Sequence, residues 1–218
     1  MSIDRAGVPF IALAFVPSLA CVAAGLSAPA LLLCIPGLLV ALFFRDPPRD
    51  PPREPGVVVA PADGRVLFAG RAAPPGAPPG AWLQVSIFLS PLDVHVNRVP
   101  IGGRITRVDH VRGTFLPAYR PGAGATNERS EVWLDHEGRT IVFRQVVGAL
   151  ARRVVCRVTP GTEVRTGQRF GIMKFGSRMD VFVPTDATLV TARGDRVRGG
   201  ETVVARLQLR ARDGTPDS

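Results

Sequence analysis

Few side chains in this chain can do chemistry. Among 218 residues there are three histidines, three cysteines and a single lysine, Lys174. Histidine is the side chain whose ordinary acidity lies near neutral pH, so proton transfer would start from one of the three. His136 lies in "LDHEGR", which reads as an exposed hairpin turn, and His110 in "RVDHVRG" reads as a strand residue with a satisfied side chain. His95 sits in "FLSPLDVHVNRVP", where a strand ends in Ser-Pro and Asp93, His95 and Asn97 follow at intervals of two. On an extended chain those three share one face. That face either lines an aqueous cleft or is a solvated strand edge, and spacing alone does not separate the two. A second stretch, "RFGIMKFGSRMDVFVP" at 169–184, sets Gly176-Ser177 between two apolar runs, with Asp180 close behind. The pair is either a plain turn or a nucleophile beside a peptide bond that the chain itself breaks.

Several other chemistries lack their residues. The cysteines form no CxxC pair and the histidines have no short zinc-type spacing, so no metal is expected. "GAGATNE" lacks the lysine and the strand-to-helix context of a phosphate-binding loop. "FGSRM" does not match the G-x-S-x-G elbow of serine hydrolases. Pyridoxal phosphate needs a Schiff-base lysine, and Lys174 in an all-β context is a poor host.

The elements that must hold these residues fall into three segments. From Ala6 to Phe44 there is no charged residue. A helix needs about 20 apolar residues to span a bilayer. This run is about twice that length and is broken by "GLSAP" at 25–29. The pattern predicts a membrane hairpin in 1–44, with arms at roughly Val8 to Ala24 and Pro29 to Phe44, either spanning or re-entrant. A cleaved signal peptide is the rival, since Arg5 precedes the run. The second apolar arm, followed by Arg45, Arg49 and Arg53, argues for retention and places the following domain on the cytoplasmic side of a cell membrane. "RDPPRDPPREPG" at 45–56 reads as a stiff, extended linker that holds the rest off the bilayer. From Val57 to Ser218, short β-branched runs alternate with turn signals such as "PADG", "DHEG" and "RGD". The expected fold class is mainly β, a barrel-like or sandwich-like domain behind the hairpin. Two valine-rich segments, "VVVAPADGRVLFAG" and "VFVPTDATLVTARGD", look alike and are expected to pair. "FLPAYRPGAGATNERS" at 115–130 is a long loop of the kind that is often functional.

The formal net charge is +9, almost all of it from arginine. Such a balance favours phosphates of nucleic acid or of anionic lipid. Clusters of aromatic and basic residues are missing, so lipid rather than nucleic acid is the expected partner. The cysteines, two in the apolar run and one in a strand-like run, imply no disulfide framework.

Taken in order, "FFRDPPR", "APADGRV", "FLSPLDVHVNRVP", "NERS", "VVGALARR" and "GQRFGIMKFGSRMDVFVP" resemble the motifs of phosphatidylserine decarboxylases, above all the short, archaeal-type subgroup. The likeness runs from the apolar segment to about Leu207. It implies a proenzyme in which Ser177 attacks the carbonyl of Gly176, giving an ester. Elimination then releases a larger chain ending at Gly176 and a smaller one whose Ser177 becomes a pyruvoyl group. That covalent pyruvoyl would be the sole cofactor, replacing the aldehyde of pyridoxal as an electron sink. The resemblance also implies a heterodimer of the two cleavage products, with further dimerisation left open, acting on phosphatidylserine to give phosphatidylethanolamine and carbon dioxide.

Residue roles follow from the same likeness. Asp63 in "PADG" matches the aspartate that assists self-cleavage, and His95 matches the histidine of the decarboxylation step. Long-form relatives carry a second histidine three residues further on, where this chain has Arg98. An arginine cannot act as a base near neutral pH. Either His95 serves both steps, or Asp63 assists Ser177 more directly, or His110 substitutes; His95 with Asp63 is the favoured pair. Asn97, Arg98 and Arg178 are candidates to hold the phosphate or carboxylate of the head group, against the plainer reading of solvated arginines. Two rival functions stand beside this one: a decarboxylase for another serine-headed lipid, and a non-enzymatic, membrane-tethered β adaptor in which "FGSR" is only a turn.

Overall fold

Strand-forming runs separated by Gly and Pro build what their alternation predicts. The computed structural model describes residues 2–72, 77–120, 122–149, 154–173 and 177–208. After the helices come strands β1 (Val57–Val59), β2 (Gly64–Arg71), β3 (Trp82–Leu89), β4 (Val96–Arg98), β5 (Gly103–Val111), β6 (Arg129–His136), β7 (Arg139–Val146), β8 (Val154–Cys156), β9 (Arg169–Met173), β10 (Ser177–Pro184) and β11 (Val203–Arg206). The principal sheet has the order β5-β6-β7-β10-β3-β2, extended at its edges by the two-residue strands Glu163–Val164 and Arg196–Val197. Every one of its pairings is antiparallel. A smaller sheet, β8-β9-β4, covers one end of its inner face, and β11 pairs with β1 and with Thr188–Leu189 in a third. One face of each strand of the principal sheet feeds the main core, to which Ile87, Leu89, Ile105, Val132, Leu134, Ile141, Phe143, Met179 and Val181 belong, while Phe43, Phe44, Val94, Val96 and Ile172 form a second, smaller one. Of the two look-alike segments, the tail of the second meets the first: the Val66 N–H donates to the Asp195 carbonyl at 2.9 Å and the Gly194 N–H to the Val66 carbonyl at 2.8 Å.

The apolar N-terminus forms two helices, α1 (Val8–Ala23) and α2 (Ser27–Phe43). They reverse at Gly25, whose φ of 75° a larger residue would resist. The Ser18 hydroxyl donates to the Ala30 carbonyl at 2.8 Å, tying the arms together from inside. Leu13, Leu31 and Leu32 on the outer faces are 71%, 76% and 68% exposed, an apolar surface that water does not favour. Residues Arg5–Ala23 are long and apolar enough to cross a membrane, with mean hydropathy 2.1, while the helix Ser27–Phe43 is shorter.

The proline-rich segment 45–56 differs from the expected spacer, because it lies against the β domain. Arg45–Asp46 pairs with Ser2–Ile3. The Arg49 side chain is 2% exposed and bonds Asp63 at 2.7 Å and Glu201 at 3.2 Å. Proline stiffness keeps the strand extended, and Arg45, Asp46 and Arg49 then find partners on the domain. The hairpin base is docked as well. Asp4 accepts both guanidinium N–H groups of Arg157 at 2.8 and 2.6 Å, and Phe44 is fully buried. What was expected to hold the domain away from the hairpin straps the two together.

Candidate active site

Two connections cross between the principal sheet and the small one at the same end of the molecule. β3 ends at Leu89 and β4 begins at Val96, while β9 ends at Met173 and β10 begins at Ser177. Ser177 pairs with Leu89 in the principal sheet, and Ile172 pairs with Val96 in the small one. The Met173 N–H donates to the His95 carbonyl at 3.3 Å. His95, just before β4, and Ser177, at the head of β10, are far apart in sequence but therefore lie at the same end of the two sheets. Gly176 lies outside the described residues, with Lys174 and Phe175.

His95 is fully buried. Its ring lies against Phe43, the last residue of α2, with centroids 4.0 Å apart and planes at 33°. Nδ1 lies 2.9 Å from the Asp93 carbonyl, and a carbonyl only accepts, so Nδ1 carries the hydrogen. In the neutral ring Nε2 is then a bare lone pair, and that atom is buried with no hydrogen-bond partner. Burial pulls the imidazole from 6.5 down to about 4, against the opposing pull of the Asp93 carbonyl and carboxylate. At neutral pH the ring is therefore uncharged. Asp93 does not share a polar face with it, since its carboxylate turns back to accept the Ser90 N–H at 2.8 Å.

Ser177 is fully buried, and its hydroxyl likewise has no partner. Alternation along β10 puts Ser177 on the same face as Met179, Val181 and Val183, which belong to the core. On that face Gln145 stands across from Met179, and Ser130 across from Gln145. The Gln145 Nε2 donates to Asn97 Oδ1 of β4 at 2.8 Å, joining the two sheets. Gly171 of β9 permits this, because a Cβ there would lie 2.7 Å from Gln145 Nε2 and 2.3 Å from the Val155 carbonyl. Where the rest of the inner face is apolar, this end holds Ser177, Ser130, Gln145, Asn97 and His95, and each has an unpartnered buried atom.

The remaining sequence candidates lie elsewhere. Arg98 is 6% exposed, and its guanidinium is spent on Asp46 at 2.7 Å and on the carbonyls of Pro47 and Gly167. Burial lowers its pKa, opposed by Asp46. It belongs to the frame that seats the strap, not to a head-group pocket. Arg178 alternates to the opposite face of β10 from Ser177. There it bonds Asp180 at 2.6 Å and Ser86 at 2.9 Å under Gly124, so it is no free anion partner either. Asp63 accepts from Arg49 at 2.7 Å and from the Gly199 N–H at 2.7 Å, and makes no hydrogen bond to Ser177. His110 pairs with Ser130 on β6, which leaves it three strands from β10, about 14 Å by ordinary strand spacing. It lines a cleft of about 520 Å³ with Arg112, Glu128, Arg129, Val154 and Val155. His136 Nδ1 rests on the Gly102 carbonyl at 2.7 Å, in keeping with a structural turn. Sequence reasoning missed Phe43 and Gln145. Gln145 had a signal, a polar residue where Ile141 and Phe143 set an apolar period; Phe43, inside an apolar run, had none.

Burying polar atoms without partners costs stability, and a scaffold gains nothing in return. Their convergence on a serine and a neutral imidazole is the mark of an enzyme rather than of a β adaptor. Sequence comparison gives the family. The profile of phosphatidylserine decarboxylase matches residues 37–205. The chain is similar to the phosphatidylserine decarboxylase proenzyme of Prosthecochloris aestuarii, 44% identical over 165 residues that cover 76% of each chain. It is 41% identical to the proenzyme of Nitrosomonas eutropha over 207 residues, 94% of this chain and 95% of that one. With the Salinibacter ruber proenzyme it shares 47% over 183 residues, 82% and 81% of the two chains. The chain belongs to the phosphatidylserine decarboxylase family and is a decarboxylase.

Proposed function

We propose that the chain is a proenzyme that cuts its own backbone between Gly176 and Ser177, and then converts phosphatidylserine to phosphatidylethanolamine with a pyruvoyl group made from Ser177. The observation that carries this reading is the Ser177 hydroxyl, buried and unpartnered at the head of a strand. A structural serine in that position would bond a carbonyl; a nucleophile is left free. Attack of Oγ on the Gly176 carbonyl moves the acyl group from nitrogen to oxygen. Loss of the Ser177 α-hydrogen then expels the Gly176 carboxylate, and water replaces the freed nitrogen as ammonia. The residues present fit the group so formed. It would keep the place of Ser177 on the inner face, among donors and acceptors that lack partners, and its own β10 stays clamped between β3 and β7 after cutting.

A pyruvoyl group, once formed, supplies the electron sink for the pair left behind when carbon dioxide departs. The chain's own residues do the rest. His95 Nε2, bare and buried, accepts a proton and later returns one to the substrate carbon, while the Asp93 carbonyl fixes the ring's tautomer. Asn97 presents its free amide donor to the same interior. Asp63, Arg49 and Arg98 hold the strap that seats the hairpin base.

The hairpin points to where the lipid enters. An apolar groove of about 220 Å³ runs between α2 and the turn before His95, lined by Leu39, Leu42, Phe43, Arg45, Pro91 and Leu92. Phe43 is both its wall and the cover of His95. With the helices embedded in the cell membrane and the arginines beyond α2 on the cytoplasmic side, the site opens at the level of the lipid head groups.

Intact mass of the purified chain tests the reading. Two fragments are expected, the smaller starting at residue 177 and lighter by one ammonia than its sequence, while Ser177→Ala stays whole and inactive. A single uncut chain that decarboxylates phosphatidylserine overturns it.

A further inference from the structure

We infer that Gln145 is a positioning residue for this chemistry, acting through Asn97: it fixes the Asn97 amide so that its N–H group is held as a donor for negative charge on the Ser177 side of the sheet. The inference rests on the reading above that Ser177 reacts. Gln145 and Asn97 are both fully buried, and they form one hydrogen bond across two sheets, Nε2 to Oδ1 at 2.8 Å. That bond sets the orientation of both amides. Turning either over would place donor against donor or acceptor against acceptor, and the second Gln145 bond, to the Val155 carbonyl at 3.3 Å, needs an N–H as well. What remains is one free end on each residue, Asn97 Nδ2 as donor and Gln145 Oε1 as acceptor, both buried and both without a partner. A cross-link made only for stability would not leave two such buried atoms without a protein partner, since an unsatisfied group costs about 1–3 kcal/mol.

The surroundings repeat the point. The inner face of the principal sheet is apolar along Val132, Phe143 and Val181, and turns polar only at the end where Ser130, Gln145 and Ser177 stand. β9 accepts glycine at 171 so that Gln145 can reach across. Among the described residues, Arg98 and Arg178 do not compete for the role, because they are spent on Asp46 and Asp180. An amide donor held rigidly in a dry interior is a strong stabiliser of developing negative charge, and loss of one such donor typically costs about 10²–10³ in rate.

The test is a double-mutant cycle on the full-length chain in detergent or in vesicles, read as the rate of self-cleavage and, separately, as kcat and KM for phosphatidylserine. Gln145→Met and Asn97→Leu are each expected to slow both reactions tenfold or more with KM changed less than about threefold. The double variant should be no slower than Asn97→Leu alone, because one residue acts through the other. Replacing both partners with apolar groups should leave the melting temperature near that of the parent chain. Gln145→Glu supplies a second readout. A buried carboxyl has a raised pKa and, while protonated, can donate to Asn97 Oδ1 in place of the amide. Its activity should fall as pH rises and the carboxyl ionises, a limb the parent chain lacks. Wild-type rates in Gln145→Met, or additive losses in the cycle, overturn the inference. A parent chain that does not cleave overturns instead the reading on which it stands.

Discussion

Replacing Phe43 with alanine should move the acid limb of activity upward by about two pH units. The Phe43 ring lies 4.0 Å from the His95 ring and shields it from water, and burial is the first cause of the fall in its pKa from 6.5 to about 4. At about 1.4 kcal/mol per tenfold change in acidity, that depression corresponds to about 3 kcal/mol against the charged form. At pH 5 a ring with a pKa near 4 is about 90% neutral, whereas one near 6.5 is about 3% neutral, so a catalyst needing the bare Nε2 loses about thirtyfold at that pH. The sign for stability runs the opposite way. A histidine whose folded pKa lies below its unfolded value leaves the fold unpenalised above pH 6.5, and stability is lost as pH falls from 6.5 through 4. In Phe43→Ala the overall stability is lower, since removing a packed phenylalanine costs about 3–5 kcal/mol, but the acid-dependent part of the loss should shrink. The assay is carbon dioxide release from phosphatidylserine in mixed micelles from pH 4 to 8. It uses processed enzyme, with the melting temperature followed over the same range. An acid limb of kcat/KM that stays near pH 4 in the variant refutes the argument that this ring keeps His95 neutral.

Two further outcomes follow from the same geometry. Arg98→Met should leave Asp46 buried with Arg169 as its remaining partner, costing about 3 kcal/mol in chemical unfolding, while turnover per folded molecule stays near that of the parent. A lost head-group contact would instead raise KM. Leu92→Asp, which puts a charge on the rim of the apolar groove where Leu92 is 76% exposed, should raise the apparent KM for vesicles about tenfold without changing kcat, measured by surface-dilution kinetics.

Much of this molecule could be read before its coordinates. Period-two runs between Gly and Pro gave the β class, and the uncharged stretch gave both arms of the hairpin to within a residue or two. Of the proposed site, Ser177 stands out in the sequence because Gly-Ser interrupts an apolar run, and His95 because it is the one histidine in a polar set at strand spacing. What could not be read was which arginines are spent. Twenty-odd similar guanidinium groups look equally free in a sequence, and only the fold shows Arg98 locked on Asp46 and Arg178 turned to the far face of β10. The strap was misjudged for a related reason. Proline content sets stiffness, but whether a stiff segment is solvated or packed depends on partners such as Asp63 and Glu201 that lie far away in the chain. Gln145 was legible in principle as a break in the inner-face pattern, yet its meaning needs Asn97, which arrives from another sheet.

The arginine at position 98 leaves one imidazole near Ser177, and the environment of that imidazole decides which task it does well. A histidine with a pKa near 4 is a weak base for drawing a proton from a serine, but once protonated it is a strong acid. On the proposed mechanism, self-cleavage would happen once in the life of each molecule and tolerate a slow base. Proton return to the substrate carbon would happen at every turnover and gain from a strong acid that resets at once to the neutral ring. On that mechanism, burial under Phe43 would trade speed in maturation for speed in catalysis. It also ties both to the docked hairpin, since the residue that depresses the pKa is the last one of α2. On this argument Phe43→Ala should mature faster than the parent chain above pH 7 while turning over more slowly, and a variant in which both rates fall together would separate loss of structure from loss of tuning.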